Sequence, residues 1–573
     1  MLKNIILTFF VIIIFILPLT AQDLPRHMTD YEKELIKTYI PPTGKDINPP
    51  SGPVRTMAEW EELQGTLITW TSYQSILAQI VDYAQDEGLV FIVCSDSNSV
   101  KSSLTSYGVP LVNLRFLITS YNSVWCRDYG PWCAYSIAGD SLKLIDWVYN
   151  RPRPLDDAIP VFVASYLGVP IHQTTTNPNK LTATGGNFMV DGSNTGFSSK
   201  LILSENSSLT SAQIDTIMKK YMGLNRYVKM DVLPYDGIHH IDMHMKLLDE
   251  ETLLVGQYPA GVADGPQIEL NIQYIQNNFL TCHGRPYRIV RIPMPPSSSG
   301  QYPPNSSYYT YTNSTFVNKT CIVPTYGFSQ DTTALRIYRE NLPGYRVMGI
   351  NCNSIIGASG AIHCITKEIG VYDPVFISHP YLRNTNNTTT PYEVKAYIKT
   401  RSGVSSAACY WTTDTTQGFA QINMTLSADT FRCTIPAQPL GTNIYYYISA
   451  TSNSGRTVNK PITAPVGFLK FKIDNTSGTA NNNYVPVNYE LWQNFPNPFN
   501  PVTKINFSIP KNEFVTLKVY DITGRIVSTL VNEFKTEGIH TAEFSAENLS
   551  TGIFFYELIA GDFKSVRKMI LIK

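Results

Sequence analysis

The sequence has little charge and no excess of either sign. Its 573 residues include 45 Lys and Arg and 45 Asp and Glu, and charged residues make up 16% of the chain. A chain without net charge lacks the electrostatic field that would favour nucleic acid or an anionic membrane surface. Aromatic residues make up 12% of the chain, and 35 residues are tyrosine. This composition is typical of a folded, strand-rich exported protein rather than a disordered one.

Several sequence patterns are also absent. No acidic loop has the ligand spacing of a calcium site, and no second His/Asp cluster stands at the ligand spacing of a zinc site. We therefore expect neither a metal nor a cofactor. No clean internal repeat is visible, and at 573 residues the chain is too long for one core, so about two to four domains are expected.

One stretch of the chain is long and apolar, and it lies at the beginning. Residues 5–19 follow Lys3 and precede Thr20-Ala21-Gln22, the pattern of a secretory signal peptide with a small-residue cleavage site. A membrane anchor is the alternative, but the stretch is short for a span and no stop-transfer cluster follows it. We expect residues 1–21 to be a signal peptide and the mature protein to be exported, with no stable membrane span.

The cysteine count is odd. Of nine cysteines, at least one stays unpaired within an exported chain. Cys364 ends the small-residue run Gly-Ala-Ser-Gly-Ala-Ile-His-Cys, which lets the backbone approach a ligand and suits a nucleophile. A buried structural thiol is the alternative. Cys409 and Cys433 could bridge two strands, and the other thiols that compete for the nucleophile role are Cys94, Cys126, Cys133, Cys282, Cys321 and Cys352.

The pattern of apolar residues divides the chain into regions. After an N-terminal segment, residues 22–50, the region 51–374 mixes strand-like runs, at 89–93 and 200–203, with a capped amphipathic helix at 211–222, and indicates an α/β catalytic domain. Residues 375–474 alternate as strands without an obvious helix, which predicts an immunoglobulin-like sandwich. Residues 475–488 form a polar linker, and residues 489–573 form the last domain.

The last domain carries its own motifs. It opens with Asn-Phe-Pro-Asn-Pro-Phe-Asn-Pro at 494–501, contains Leu-Ser-Thr-Gly-Ile-Phe-Phe-Tyr at 549–556 and finishes on a basic stretch at 564–569. These motifs resemble the carboxy-terminal sorting domain of type IX secretion cargo. The resemblance implies a β-sandwich, transport by the type IX secretion machinery and a location that is secreted or at the outer cell surface.

Two motifs upstream of Cys364 contain candidate catalytic groups. In Trp125-Cys126-Arg127-Asp128 and the aromatic residues that follow, a carboxylate among rings suits a cation, or else forms a structural Arg-Asp pair. Read as a strand, His239 to His244 places His240, Asp242 and His244 on one face. That face could be a metal site, an acid/base pair or a satisfied core imidazole.

Taken in order, these motifs resemble a known family. Together with Ala-Glu-Trp-Glu at 58–61, Thr-Gly-Gly-Asn at 184–187 and Tyr-Thr-Asn-Ser at 311–314, they are similar to the agmatine deiminase and bacterial peptidylarginine deiminase group over about residues 55–370. The resemblance implies a pentein fold, a five-bladed α/β propeller. The propeller is implied by the resemblance alone.

The motif Tyr-Asn-Arg-Pro-Arg-Pro at 149–154 points to one branch of that group. In the Porphyromonas-type peptidylarginine deiminases a matching arginine pair is implied to hold the α-carboxylate of a carboxy-terminal arginine, and Arg151 and Arg153 are its equivalents. Guanidinium groups bind carboxylates in bidentate fashion, whereas agmatine has no carboxylate. A solvated basic loop is the alternative.

The chemistry implied is hydrolysis of arginine to citrulline and ammonia through a covalent amidino-cysteine. Asp128 and Asp242 would hold the guanidinium, Cys364 would attack its carbon, and His240 would protonate ammonia and then activate water. Asn313 matches a site position of the family, although a structural amide is an alternative, and Trp125 would cover the arginine.

Other functions use some of the same residues. An agmatine deiminase-like hydrolase would take a small guanidine, and a Cys/His peptidase would attack an acyl carbon without needing two aspartates. A zinc hydrolase would depend on the histidines, and a binding protein with an inactive catalytic fold would release no ammonia. Arginine-containing peptides or proteins remain the expected substrates.

Overall fold

The structure is a computed structural model that describes residues 24–137, 141–475, 489–494, 497–535 and 538–573. The chain divides into two compact units, residues 1–479 and 480–573, and each is described by itself. The predicted signal peptide lies outside the described residues, as does the predicted linker beyond residue 475.

The first unit contains five sheets in its described residues between 54 and 370, and each has the same arrangement. A strand pairs antiparallel with a second strand, which pairs parallel with a third strand after a helical crossover. Such a parallel pair needs a long connection, and a helix supplies it.

The strands of the five sheets are as follows. Sheet I contains Leu63–Thr69, Leu89–Cys94, Leu114–Ile118 and Lys367–Gly370. Sheet II contains Val54–Thr56, Trp132–Ser136, Leu142–Tyr149, Ile171–Thr174 and Thr182–Ala183. Sheet III contains Met189–Val190, Thr195–Ser199 and Arg226–Met230. Sheet IV contains Met245–Asp249, Thr252–Gln257 and Arg288–Pro293. Sheet V contains Thr315–Val317, Thr320–Thr325 and Arg346–Asn351.

The connection between the parallel strands of each sheet contains one main helix, with a second, shorter helix in sheets II and III. In order from sheet I to sheet V the main helices are Gln74–Gln85, Ile159–Leu167, Ser211–Met222, Gly265–Asn278 and Ser329–Asn341. The predicted helix at 211–222 is confirmed. Thr210 and Gln213 cap its start reciprocally, and Gly223 ends it in the left-handed region at φ 72°, which glycine adopts without steric cost.

The remaining helices of the first unit are short. They are Asp30–Leu35, Ser97–Ser106, Cys126–Tyr129, Pro154–Asp157, Leu201–Glu205 and Asn353–Ile356, and the 3₁₀ turns Gly185–Asn187, Ile241–Met243, His363–Ile365 and Thr415–Gln417.

Two predictions of strands are wrong, while the predicted strand at 89–93 is confirmed. The run at 200–203 belongs to the helix Leu201–Glu205, because a short apolar run does not distinguish a buried strand from a buried helix. The run at 239–244 contains the 3₁₀ turn Ile241–Met243. Its side chains therefore do not alternate between two faces as they would in a strand.

After residue 374 the first unit is built from strands, as predicted. One sheet holds Val375–Ser378, Tyr392–Thr400, Thr425–Ser427 and Thr430–Ile435, and the other holds Val404–Thr412, Ala420–Asn423, Asn443–Ser452, Thr457–Lys460 and Leu469–Lys472. Alternate residues of both sheets, among them Val394, Ile398 and Ile448, form one buried cluster. The two sheets therefore share a core.

The second unit is also built from strands. Its sheets contain Glu490–Leu491, Val502–Ile509 and Gly538–Ser545 in one, and Glu513–Asp521, Ile526–Lys535, Gly552–Ala560 and Phe563–Leu571 in the other. Its core is separate from that of the first unit and includes Phe507, Leu517 and Tyr556.

Three properties of the described residues bear on function. No helix among them is both long and apolar enough to cross a membrane. No three His, Cys, Asp or Glu side chains in that part of the chain are grouped so that they could hold a metal ion. All nine cysteines are free.

Candidate active site

The site is assembled from five short segments, each placed just before the strand that makes the antiparallel pair of one sheet. These segments contribute Asp128, Gly186, Asp242, Asn313 and Cys364, two to four residues before Trp132–Ser136, Met189–Val190, Met245–Asp249, Thr315–Val317 and Lys367–Gly370 respectively. Equivalent positions in five similar sheets therefore meet at one place, which explains how residues far apart in sequence form one site.

Two buried carboxylates in the site hold one guanidinium group, that of Arg26. Asp128 accepts from Nε of Arg26 at 2.8 Å and from Nη2 at 2.9 Å. Asp242 accepts from Nη1 at 3.2 Å and from Nη2 at 3.1 Å. Both pairs are bidentate, the geometry in which guanidinium and carboxylate bind most strongly. Asp128 and Asp242 thus face the same guanidinium group.

Burial and charge act against each other on these carboxyl groups. Burial acts to raise the pKa of Asp128, but Arg26 and then His240 lower that pKa to about 2. Burial also acts to raise the pKa of Asp242, and Arg26 with His363 holds it below its usual value. Both groups are therefore charged while the guanidinium is in place.

The thiol of Cys364 lies directly beside the bound guanidinium. Nη1 of Arg26 lies 2.5 Å from Sγ of Cys364, and the Asn313 amide nitrogen lies 3.2 Å from the same sulfur. Burial raises the pKa of the thiol well above its usual value, Arg26 lowers it, and Asp242 and Asp128 raise it. The positive charge of the occupant therefore favours the thiolate in a site whose own carboxylates disfavour it.

Asn313 also holds the backbone that carries the thiol. Its Oδ1 accepts from the backbone N–H of His363 at 3.0 Å and of Cys364 at 3.4 Å. Its amide nitrogen also lies 3.4 Å from the carbonyl oxygen of Asp242. This single amide ties together the segments that supply the thiol and one carboxylate.

His240 is buried beside the guanidinium and is not held by hydrogen bonds. Its Nδ1 is 3.7 Å from Asp128 Oδ1, and neither ring nitrogen has a hydrogen-bond partner among the described residues. Burial, followed by the charge of Arg26, lowers its pKa to about 3. The imidazole is therefore neutral and free to accept a proton when a guanidinium is bound.

A second histidine, His363, orients Asp242. Its Nδ1 is 2.9 Å from Asp242 Oδ2 and its Nε2 is 2.8 Å from Glu59 Oε1. Lys246 donates to the other oxygen of Glu59 at 2.6 Å. Sequence reasoning missed these roles, although Glu59 and His363 both lie inside the motifs that it used.

Two glycines leave the space that Arg26, Trp125 and Cys364 occupy in the site. A Cβ on Gly186 would collide with the guanidinium of Arg26, and a Cβ on Gly360 would approach the ring of Trp125 and the sulfur of Cys364. The backbone N–H of Gly186 donates to Asp128 Oδ1 at 3.0 Å. The small residues in both motifs therefore permit contacts that larger side chains would block.

The remaining predicted residues contact the backbone around Arg26. Arg151 Nε donates to the carbonyl of Arg26 at 3.1 Å. Arg153 donates to the carbonyl of Pro25 at 2.8 Å and forms an ion pair with Glu32 at 2.6 Å. Trp125 Nε1 donates to the carbonyl of Leu24 at 2.7 Å. Arg151 and Arg153 thus lie beside the site and bind backbone carbonyls and a carboxylate of the N-terminal segment rather than solvent.

His244, the third member of the possible metal set, does not join the others. Burial lowers its pKa to about 4, and its ring nitrogens have no partner among the residues described. The carboxylate between the two histidines instead holds Arg26. Nothing in this arrangement supports the zinc hydrolase alternative.

The occupant of the site is the feature that sequence reasoning missed altogether. Arg26 is fully buried and comes from the N-terminal segment, which had no assigned role. Next to it lies a cavity of about 700 Å³, lined by residues that include His27, Met28 and Arg151. The signal that could have found Arg26 is slight, a lone arginine five residues after the predicted cleavage site.

Two family models match this chain. Residues 55–369, more than half of the chain, match the family described as Porphyromonas-type peptidyl-arginine deiminase. Residues 493–573 match the family described as secretion system C-terminal sorting domain.

Individual relatives are distant. A protein provisionally named agmatine deiminase from Mycoplasma mycoides subsp. mycoides is 23% identical over 45% of this chain and 77% of its own length. Another of that provisional name, from Legionella pneumophila, is 24% identical over 45% of this chain and 75% of its own length. The crystal structure of a further protein of that provisional name matches with a TM-score of 0.51 at 20% identity, over 57% of this chain and 100% of that one. This last likeness supports the mixed α/β fold.

Proposed function

Because the chain belongs to the Porphyromonas-type peptidyl-arginine deiminase family, we propose that it converts arginine residues of peptides and proteins to citrulline and ammonia. The chain is a hydrolase that acts on the C–N bonds of guanidines. The proposal concerns the substrate class: peptidyl-arginine rather than agmatine.

The observation that carries this proposal is the way the site holds an arginine as part of a peptide. The backbone N–H of Arg26 donates to the carbonyl of Ala358 at 3.1 Å, and its carbonyl accepts from Arg151 at 3.1 Å. Agmatine has neither the peptide N–H nor the carbonyl. A site that uses both groups recognises an amino-acid residue.

The first half of the reaction forms the covalent intermediate. Asp128 and Asp242 hold the planar guanidinium, and Sγ of Cys364 attacks its central carbon while the thiol proton passes to neutral His240. The imidazolium then protonates one amino group of the tetrahedral adduct. Ammonia leaves, and the carbon remains bonded to sulfur as an amidino-thioether.

The second half releases citrulline. His240, neutral again, takes a proton from a water molecule, whose oxygen bonds to the amidino carbon. The C–S bond then breaks, the electron pair returns to sulfur, and His240 returns its proton to the thiol. The hydroxyl proton of the adduct is released from the new carbonyl oxygen and converts the departed ammonia to ammonium. Asn313 keeps Cys364 in place throughout, and Trp125 covers the arginine.

Arg151 and Arg153 are proposed to give a preference for carboxy-terminal arginine. Arg151 already reaches the carbonyl oxygen of the bound residue, where a terminal arginine would offer a charged carboxylate. Arg153 pairs with Glu32, which shows that it can bind a carboxylate. Once the N-terminal segment leaves the site, both guanidinium groups are available to a substrate carboxylate.

The domain organisation is part of the proposal. We propose that the five sheets form a five-bladed pentein propeller within residues 51–374, supported by their shared strand arrangement, and that residues 375–474 form an immunoglobulin-like domain. The matched sorting domain indicates transport by type IX secretion to the cell surface or beyond. Residues 1–21 are proposed as the signal peptide that starts this export.

The test compares four substrates on the Arg26→Ala chain, so that the N-terminal arginine does not compete. These are a peptide ending in arginine, the same peptide extended by one residue, free arginine and agmatine, with citrulline or carbamoylputrescine quantified by mass spectrometry. We expect the highest kcat/KM for the peptide ending in arginine. A higher kcat/KM for agmatine than for both peptides would reject the proposal in favour of a small-guanidine hydrolase.

A further inference from the structure

Arg26 occupies the position that the reaction requires of a substrate. All three guanidinium nitrogens bind the two carboxylates, with Nε and Nη2 on Asp128 and Nη1 and Nη2 on Asp242. Nη1 also lies 2.5 Å from the sulfur of Cys364. A guanidinium that only stabilised the fold would not need to stand against the nucleophile.

A buried arginine nearby provides the comparison. Arg127 is also fully buried, and it pairs with Glu368 at 2.6 Å and donates to the carbonyl of His363 at 3.2 Å. Those partners are a carboxylate and a backbone oxygen of the surrounding fold. The two buried arginines thus differ in that only Arg26 brings its guanidinium against the thiol.

The residues around Arg26 are bound as a peptide would be. Successive carbonyls of the segment, those of Leu24, Pro25 and Arg26, accept from Trp125, Arg153 and Arg151 respectively. Farther along, Glu32 pairs with Arg153. All residues from Arg26 to the strand Val54–Thr56 of sheet II are described. The arginine in the site is therefore joined to the catalytic fold by its own chain.

We propose that Arg26 is a self-modification site, which the enzyme converts to citrulline in cis before it acts on other chains. The inference rests on the proposed function, since it uses the same thiol, carboxylates and histidine. The C–N bond to one terminal nitrogen of Arg26 breaks and a C–S bond to Cys364 forms. Ammonia is the leaving group of that step, and it takes up a proton to become ammonium. Water then replaces sulfur, so that the thiol is restored and the ureido oxygen comes from water.

Conversion removes the charge-assisted bonds that hold side chain 26 in the site. Citrulline is neutral, so the charge-assisted bonds to Asp128 and Asp242 are lost and two buried carboxylates remain without a counter-ion. That state is unfavourable, and exchange of citrulline 26 for an external guanidinium relieves it. The first turnover therefore opens the site to other substrates.

The experiment uses the full chain and reads residue 26 directly. Wild-type protein and the Cys364→Ala variant are digested with a lysine-specific protease, and the peptide ending at Lys33, whose only arginine is Arg26, is analysed by tandem mass spectrometry. Fragment ions must place the change on residue 26, because deamidation of Gln22 gives the same mass difference. The exposed residues Arg336 and Arg339 serve as controls for non-selective modification.

We expect citrulline at position 26 in wild-type protein, arginine there in Cys364→Ala, and arginine at both control positions. When Cys364→Ala is mixed with an excess of wild type, its Arg26 should stay arginine, because its own site buries it. Arginine at position 26 of wild-type protein, or conversion of the variant in the mixture, would overturn the inference of a reaction in cis.

A second measurement separates this inference from the proposed function. Turnover of an external arginine peptide by Arg26→Ala reports on the proposed function alone, since that chain has nothing to convert. Wild type should show a lag in peptide turnover that ends as residue 26 is converted, and Arg26→Ala should show none. Arg26→Lys carries charge but no guanidinium carbon. Its turnover of the external peptide should therefore stay below that of Arg26→Ala. Equal turnover by the two variants would contradict the occlusion.

Discussion

The guanidinium of Arg26 and the thiol of Cys364 are in direct contact, with Nη1 2.5 Å from Sγ. The contact joins residues 338 positions apart and places a positive charge beside the thiol. Burial raises the pKa of this thiol, and the two carboxylates raise the same pKa further.

Loss of the nucleophile should abolish the reaction without unfolding the protein. In the Arg26→Ala background, Cys364→Ala should bring citrulline formation from an arginine peptide below detection. Cys352→Ala is the matched control, because Cys352 is also fully buried in the same core, and it should cost about 1 kcal/mol of stability while activity persists. Equal activity losses in the two variants would argue against Cys364 as the nucleophile.

A bound guanidinium should lower the pKa of Cys364. The charge of Arg26 opposes burial, Asp242 and Asp128, so the thiol of Arg26→Ala should titrate at higher pH when the site is empty and at lower pH with a non-reacting guanidine bound. Thiolate ultraviolet absorbance, measured against pH with Cys364→Ala subtracted, follows this change. An apparent pKa that the guanidine does not shift would rule out substrate-assisted activation.

Neutralising either carboxylate should weaken transition-state binding. Asp128→Asn and Asp242→Asn each remove a bidentate charged pair, and kcat/KM for an arginine peptide should fall about a thousandfold, corresponding to about 4 kcal/mol. Asp231→Asn is the control, since Asp231 forms an exposed pair with Lys200, and its kcat/KM should be unchanged. A loss below tenfold at Asp128 or Asp242 would be inconsistent with this role.

The arginine pair should act on the choice of substrate. Arg151→Ala combined with Arg153→Ala should reduce kcat/KM for a peptide ending in arginine far more than for agmatine, because only the peptide presents a carboxylate. Arg115→Ala, at an exposed position, should change neither. Equal losses for both substrates would refute the carboxylate assignment.

Removing the guanidinium should destabilise the protein at neutral pH and much less in acid. The pKa of Asp128 is lowered from 3.8 to about 2, so the stabilisation is complete above the usual value and is lost as pH falls through the folded value. Arg26→Ala leaves two buried carboxylates unpaired, and it should cost about 3 kcal/mol at pH 7. The difference should shrink below about pH 4 as the carboxylates protonate.

Urea unfolding of Cys364→Ala, in which residue 26 stays arginine, and of Cys364→Ala combined with Arg26→Ala at both pH values measures this difference. Arg336→Ala in the same Cys364→Ala background, in an exposed helix pair with Glu340, should stay within about 0.5 kcal/mol of Cys364→Ala at either pH. A destabilisation by Arg26→Ala that does not depend on pH would mean that the carboxylates are not the cause.

Local patterns in the sequence predicted several elements and candidate site residues. The helix at 211–222 follows from apolar spacing and a cap, and both were evident in the chain. Cys364, Asp128 and Asp242 could be named because each stands in a motif whose residue types suit guanidine chemistry. The run at 200–203 misled because four apolar residues carry no period that separates strand from helix.

The motifs, through their resemblance to the deiminase family, therefore determined the reaction class. They supply a thiol, two carboxylates, a histidine and an arginine pair in an order similar to that of guanidine hydrolases. The tertiary structure decided what those residues meet. Asp128, Asp242 and Cys364 converge because each precedes the corresponding strand of a different sheet, and His363 orients Asp242 from beside the nucleophile. Arg26 reaches the thiol only because the N-terminal segment folds back over the site. A contact between residues hundreds of positions apart leaves no periodic signal in the sequence, since it depends on how separate elements pack and not on their local propensities.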